Sequence, residues 1–244
     1  MTMDDERGQD PKERDQRMKE RSREAFRGHY ISLSQGDSGG GRWLIQRPSK
    51  NRSGWDWTMA ADIVVMLGGR IVVWGDLHPV LFAHHGPFKD PVEVINWMGK
   101  CEDLGYYVHQ KASIACHEIV DVWERDVARF QLLEMIFPEE VKRQGRSEKF
   151  IEGIKEAIEW HLDSGRESFL NFVYSELGYD DYEAVCHVGM VISPRVYYAH
   201  AALARLSHLL DLEKEKERER QAEDSGDAER NDAHLPDGAP ETAG

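Results

Sequence analysis

The stretch Ile63-Val64-Val65-Met66-Leu67-Gly68-Gly69-Arg70-Ile71-Val72-Val73-Trp74-Gly75-Asp76 decides how this chain folds. Two runs rich in β-branched residues flank a pair of glycines. Glycine supplies positive φ at both central positions of a two-residue type I′ turn, so the stretch predicts a β-hairpin. Val72 and Trp74 then point one way, and Ile71 and Val73 the other. Both sets are apolar, which predicts a central strand covered on each face. A short turn from Gly75 to Pro79 leads into a third strand, Val80 to His84.

Upstream, His29 to Ser34 alternates in period two, the loop signal Gln35 to Gly41 follows, and Arg42 to Gln46 resumes an extended pattern. These residues predict an earlier hairpin. Downstream the period changes to that of helices. Asp90 before Pro91, with Glu93 in the first turn, marks a helix start near residue 91. The apolar positions Ile119, Trp123, Val127, Phe130 and Leu133 predict one helix from Ser113 to Phe137, stopped by Pro138. Further helices are predicted over Ser147 to Leu162 and Glu167 to Leu177, the latter terminated by Gly178. Ser193-Pro194 opens a last helix carrying Val196, Ala199, Leu203, Leu206 and Leu210. The expected fold class is α+β: an antiparallel sheet from the N-terminal half packed by helices from the C-terminal half.

Both ends read differently. Residues 1–27 hold eight acids and eight bases with few large apolar side chains, a composition that predicts a disordered charged tail. Residues 211–244 hold twelve acids and five bases; charge pairs suit a helical extension first and the final Gly, Pro and Ala stretch suits disorder. Residues 28–210 are left as a single globular domain.

The formal net charge is −14. Phosphate-gripping proteins concentrate Lys and Arg, and no basic stripe occurs in the core segment, so generic DNA binding is disfavoured and protein partners are expected. No apolar run reaches the ~18 residues of a membrane span, and charges stand where a signal peptide would be apolar. A cytoplasmic location is the expectation. Cys101, Cys116 and Cys186 show no CxxC spacing and predict reduced thiols.

The residues that invite chemistry are Asp76, His78, His84 and His117. Asp76 and His78, two apart at the end of a strand, can face one metal ion, since side chains i and i+2 share a side of an extended chain. Asp76-Leu77-His78 resembles the first motif of calcineurin-like metallophosphoesterases, and Cys116-His117-Glu118 resembles their Asn-His-Glu motif. That resemblance implies a metal-dependent phosphoester hydrolase, the one reading that requires a divalent metal; otherwise no cofactor is expected. The Gly-Asp-x-x-Asp and Gly-His-x-His motifs of that family do not occur after residue 78, and Cys116 replaces a ligand. Asp76 and His78 also suit a turn, where such side chains bond local backbone. His117 and Asp121 are one helical turn apart, on a face that reads as solvated. Ser38 to Arg42 lacks the Lys-Ser or Lys-Thr pair of a phosphate loop.

Residues 57–99 resemble, more broadly, the central part of an uncharacterised family of tailed-bacteriophage and prophage proteins. The matching positions are the glycine turn at Gly68-Gly69, Gly75-Asp76, Phe82 and Asp90, and the likeness continues over residues 196–210. Where that family shows Gly-Asp-x-Gly, this chain has His78. The resemblance implies phage origin, expression in the host cytoplasm and no settled activity; together with the absence of a complete catalytic constellation in the sequence, it leads to the expectation of an accessory protein that acts by binding and interferes with a host system.

Overall fold

The computed structural model describes residues 10–37, 40–49, 55–66, 68–75, 79–83, 90–103, 111–112, 121–136, 148–175 and 186–232. Strands β1 (Tyr30–Asp37), β2 (Gly40–Pro48), β3 (Trp55–Met66), β4 (Arg70–Gly75) and β5 (Val80–Ala83) form an antiparallel sheet in the order β1-β2-β3-β4-β5. Helices α1 (Pro11–Phe26), α2 (Pro91–Gly99), α3 (Arg125–Phe130), α4 (Glu148–Asp163), α5 (Arg166–Ser175) and α6 (Pro194–Asp232) accompany it. A π-helical turn, Gln131–Ile136, continues α3, and β6 (Asp121–Trp123) pairs with β7 (Met190–Ile192). The chain is therefore α+β, with the sheet in its N-terminal half and most helices in its C-terminal half.

Alternation on β2 to β5 explains the packing. Ile45, Ala61, Ile63, Ile71, Val73 and Phe82 are fully buried on one face, against Ile95 and Met98 of α2 and Val196, Leu203 and Leu206 of α6. Each of these side chains larger than alanine contributes on the order of 1.5–3 kcal/mol relative to exposure. The N-cap of α2 is Asp90, whose Oδ1 accepts from Val92 N at 2.9 Å, with Pro91 following. Burial on α6 ends near Leu209, and its continuation to Asp232 is exposed wherever its side chains are described.

Three expectations are corrected. First, Met66 pairs with Arg70, so the turn spans three residues instead of two, and Trp74 lies opposite Asp62. Gly68 and Gly69 still take positive φ, 84° and 75°. Second, β4 is covered on one face only: Ile71 and Val73 are buried while Trp74 is exposed and Val72 partly so. Third, the expected single helix from Ser113 to Phe137 is broken, since Asp121–Trp123 is a strand and the π-helical turn follows α3.

The charged N-terminal stretch also departs from expectation, because residues 11–26 form α1 and pack on α6. Asp10 caps it through Lys12 N at 2.8 Å, and Pro11 occupies the first turn. Its inward stripe, Arg14, Met18, Ser22 and Phe26, repeats every four residues. Only two of those four are large and apolar, so composition hides the stripe. Arg14 is 4% exposed and bonds Glu124 through Nε at 2.6 Å and Nη2 at 2.5 Å. The buried Tyr197 hydroxyl donates to Asp15, which also pairs with Lys19.

A second cluster of Ala128, Leu132, Ile158, Leu162, Phe169 and Phe172 joins α3, its π-helical continuation, α4 and α5. The Arg14–Glu124 pair ties this cluster to α1.

Gly75 closes β4 at φ 125°, and a Cβ there would run into the carbonyl of Ala60. At Gly68, also at positive φ, a Cβ would meet nothing. Gly75→Ala is therefore expected to cost more than about 2 kcal/mol and Gly68→Ala about 1 kcal/mol, the difference being the steric clash. Urea denaturation of the two variants checks this; equal losses would mean the close approach of β3 to Gly75 is absent.

Candidate functional site

Strand register builds a set of side chains on the face of the sheet away from α2 and α6. Leu44 of β2, Asp62 of β3 and Trp74 of β4 stand in one row across the sheet, and Arg42, Val64, Val72 and Leu81 in the next. Met66 and Arg70 form the end of a third row. Met66 and Trp74 are 41% and 43% exposed, and Leu44, Val64 and Val72 are half-buried.

At the centre of this face the Asp62 carboxylate receives a fork from Arg42: Nε to Oδ1 at 3.0 Å and Nη2 to Oδ2 at 2.6 Å. The Trp74 indole adds a further hydrogen bond. Burial alone would raise the Asp62 pKa, but the hydrogen bonds from Arg42 and Trp74 and the charge of Arg42 hold it below the usual carboxylate value. Arg42 is itself raised by the bond to Asp62. Asp62 is thus a fixed anion with its lone pairs engaged, suited to orienting Arg42 and Trp74 and unsuited to proton transfer.

Asp76, His78, His84 and His117 lie outside the described residues, as do Cys116 and Gly178. Strand β4, at whose end Asp76 and His78 are expected to pair, is described up to Gly75. Asp121 belongs to strand β6, so the helical spacing read between it and His117 does not apply. Among the described residues no group of three His, Cys, Asp or Glu side chains comes together. His200 is buried in the core, His208 is exposed, and His187 sits in an exposed turn. An open pocket at the end of α2 is lined by Asn96, Trp97, Lys100 and Cys101, with Lys100 bonded to Asp211 at 2.7 Å.

Two histidines are buried: His29, which the sequence places in a strand without a role, and His200, which beside the leucine stripe of α6 reads as a boundary residue and is instead 4% exposed. His29 donates through Nε2 to the Met59 carbonyl at 3.1 Å, and Met59 itself is held at φ 61°. Burial, together with the nearby Arg47 and Arg205, lowers its pKa. His200 donates through Nε2 to the Met98 carbonyl at 3.1 Å, joining α6 to α2. Burial lowers its pKa to about 4. The signal available for either was position: His29 sits at the start of β1, and His200 lies one residue beyond the apolar position Ala199 of α6.

No protein-family model, curated protein or solved structure matches the chain. No described helix is long and apolar enough to cross a membrane.

The histidines set an acid limit. Because the folded pKa of His200 is about 4 against 6.5 ordinarily, the unfolded chain binds a proton that the fold refuses between those values. Stability from this group is complete above pH 6.5 and falls with pH, by about 3 kcal/mol at pH 4. His29 acts in the same direction. Denaturant titrations at pH 7 and pH 4 are expected to show this loss, reduced in His200→Gln; a variant with the wild-type pH slope would refute the assignment.

Proposed function

We propose that this chain is a phage-type accessory protein that acts by binding a protein partner, with interference in a host system as the consequence. The observation that supports it is the exposed apolar face of β2 to β4, where Met66 and Trp74 stand open beside Val64 and Val72. Exposed apolar patches on a well-packed domain mark interaction sites, and aromatic anchors with an arginine are the side chains that dominate such interfaces. The Arg42–Asp62 fork fits this reading because it fixes a polar centre without flexible charge. The resemblance of residues 57–99 and 196–210 to tailed-phage proteins supplies the biological context. A binding role of this kind calls for no cofactor.

A photo-crosslinking residue in place of Val72 is expected to trap a discrete protein from bacterial lysate, and the trapped band should be lost when Trp74→Ala is added. The same crosslinker at Lys214, on the exposed part of α6, should trap nothing comparable. Equal capture at both positions, or capture indifferent to Trp74, would overturn the proposal.

A further inference from the structure

Resting on the reading that the open sheet face binds a protein, we infer that the segment it takes is an acidic amphipathic helix lying along β3. Width is the first argument. Strands lie about 4.8 Å apart, so the strip from β2 to β4 is about 10 Å across, the diameter of a single helix with its side chains. The sheet's opposite face already takes helices in this manner, with α2 and α6 on Ile63, Val73 and their neighbours.

The placement of charge is the second argument. The middle of the strip, Val64 and Met66 on β3, is apolar, and its margins carry Arg42 on β2 and Arg70 on β4. Asp62 is the one described acid on the strip, and it is already engaged by Arg42 and Trp74. Arg42 keeps Nη1 without a hydrogen bond among the described residues, and its side chain is 48% exposed. Arg70 is exposed, with no ion pair among the described residues. In a chain of net charge −14, this face therefore presents two cations against one committed carboxylate. A helix with an apolar stripe and carboxylates along both flanks buries the stripe on Val64, Val72 and Trp74 and sets its acids against Arg42 and Arg70.

Other occupants fit less well. A second copy of the chain brings another −14 toward the first. Its exposed acidic helix after Leu209 has little apolar surface to lay on the strip. Single-stranded nucleic acid would find two arginines and Trp74 but an aliphatic floor where successive bases need aromatic platforms.

Fluorescence anisotropy with a labelled helical peptide of about 18 residues, five turns long, tests the inference directly. The peptide carries leucines in one stripe flanked by glutamates; its analogue has lysines for the glutamates, and labelled oligo-dT is the third probe. The expected result is binding of the glutamate peptide, with the lysine peptide and oligo-dT weaker by about tenfold or more. Val72→Glu should abolish binding, and Arg70→Glu should weaken the glutamate peptide while strengthening the lysine peptide, each variant having first shown wild-type thermal unfolding. Equal binding of both peptides, lost in Val72→Glu but unmoved in Arg70→Glu, would overturn the acidic partner and leave the binding face standing. Binding of neither peptide, or binding unaffected by Val72→Glu, would overturn the inference; only the crosslinking result at residue 72 would then decide the broader reading. Preferential binding of oligo-dT would overturn both.

Discussion

Burial of one face of the sheet against α2 and the first half of α6 is the constraint on which the remaining structure depends. Ile63, Ile71, Val73 and Phe82 supply that face, and each lies opposite a partner that shares its direction. A slip of one residue between β3 and β4 would pair Ile63 with Trp74 and bring the side chains of Asp62 and Val64 to the core. Register is therefore fixed by the core and not by the turn, which explains how a glycine pair typical of a two-residue loop is accommodated in a three-residue one. The glycines supply the positive φ that the loop uses, while the aliphatic side chains choose where it closes.

Once register is set, the outer face follows without further instruction. Asp62 falls beside Trp74 because Ile63 falls beside Val73, and Arg42 reaches Asp62 because Trp43 lies opposite Ile63 on the core side. A carboxylate placed among Leu44, Val64 and Trp74 needs compensation, and the Arg42 fork with the indole hydrogen bond provides it. The polar centre of the open face is thus a consequence of how the buried face packs.

Much of the fold is legible in the sequence for reasons tied to particular residues. Asp90-Pro91 announces α2, and the spacing of Val196, Ala199, Leu203 and Leu206 announces the buried part of α6, because local chemistry and burial agree there. Strand β6 is illegible because Trp123 and Val127 repeat with Phe130 and Leu133 at helical spacing, and pairing with Met190–Ile192, distant in sequence, overrides that local pattern. Helix α1 is illegible because Arg14 occupies a core-facing position, and its burial depends on Glu124, far along the chain. The face around Asp62 is hidden for the same kind of reason: Arg42, Asp62 and Trp74 belong to three strands, and no motif joins them until the register is known. The residues that did form a local pattern, Asp76 and His78, lie beyond the described end of β4.

The distribution of charge gives the open face its character. Across β1 to β5 the arginines Arg42, Arg47 and Arg70 balance Asp37, Asp56 and Asp62, while residues 211–232, the outer part of α6, hold ten acids against five bases. Acidity is thus concentrated on a helix that leaves the core after Leu209, and the sheet is left close to neutral. Repulsion between copies of the chain would then be strongest at the extension, while the aliphatic strip itself carries little charge. On the proposed reading, Arg42 and Arg70 are the charges that a partner laid on the strip meets first. On that reading, an aliphatic floor between Arg42 and Arg70 would favour a partner that brings its own apolar stripe and its own carboxylates, and disfavour one that brings either alone.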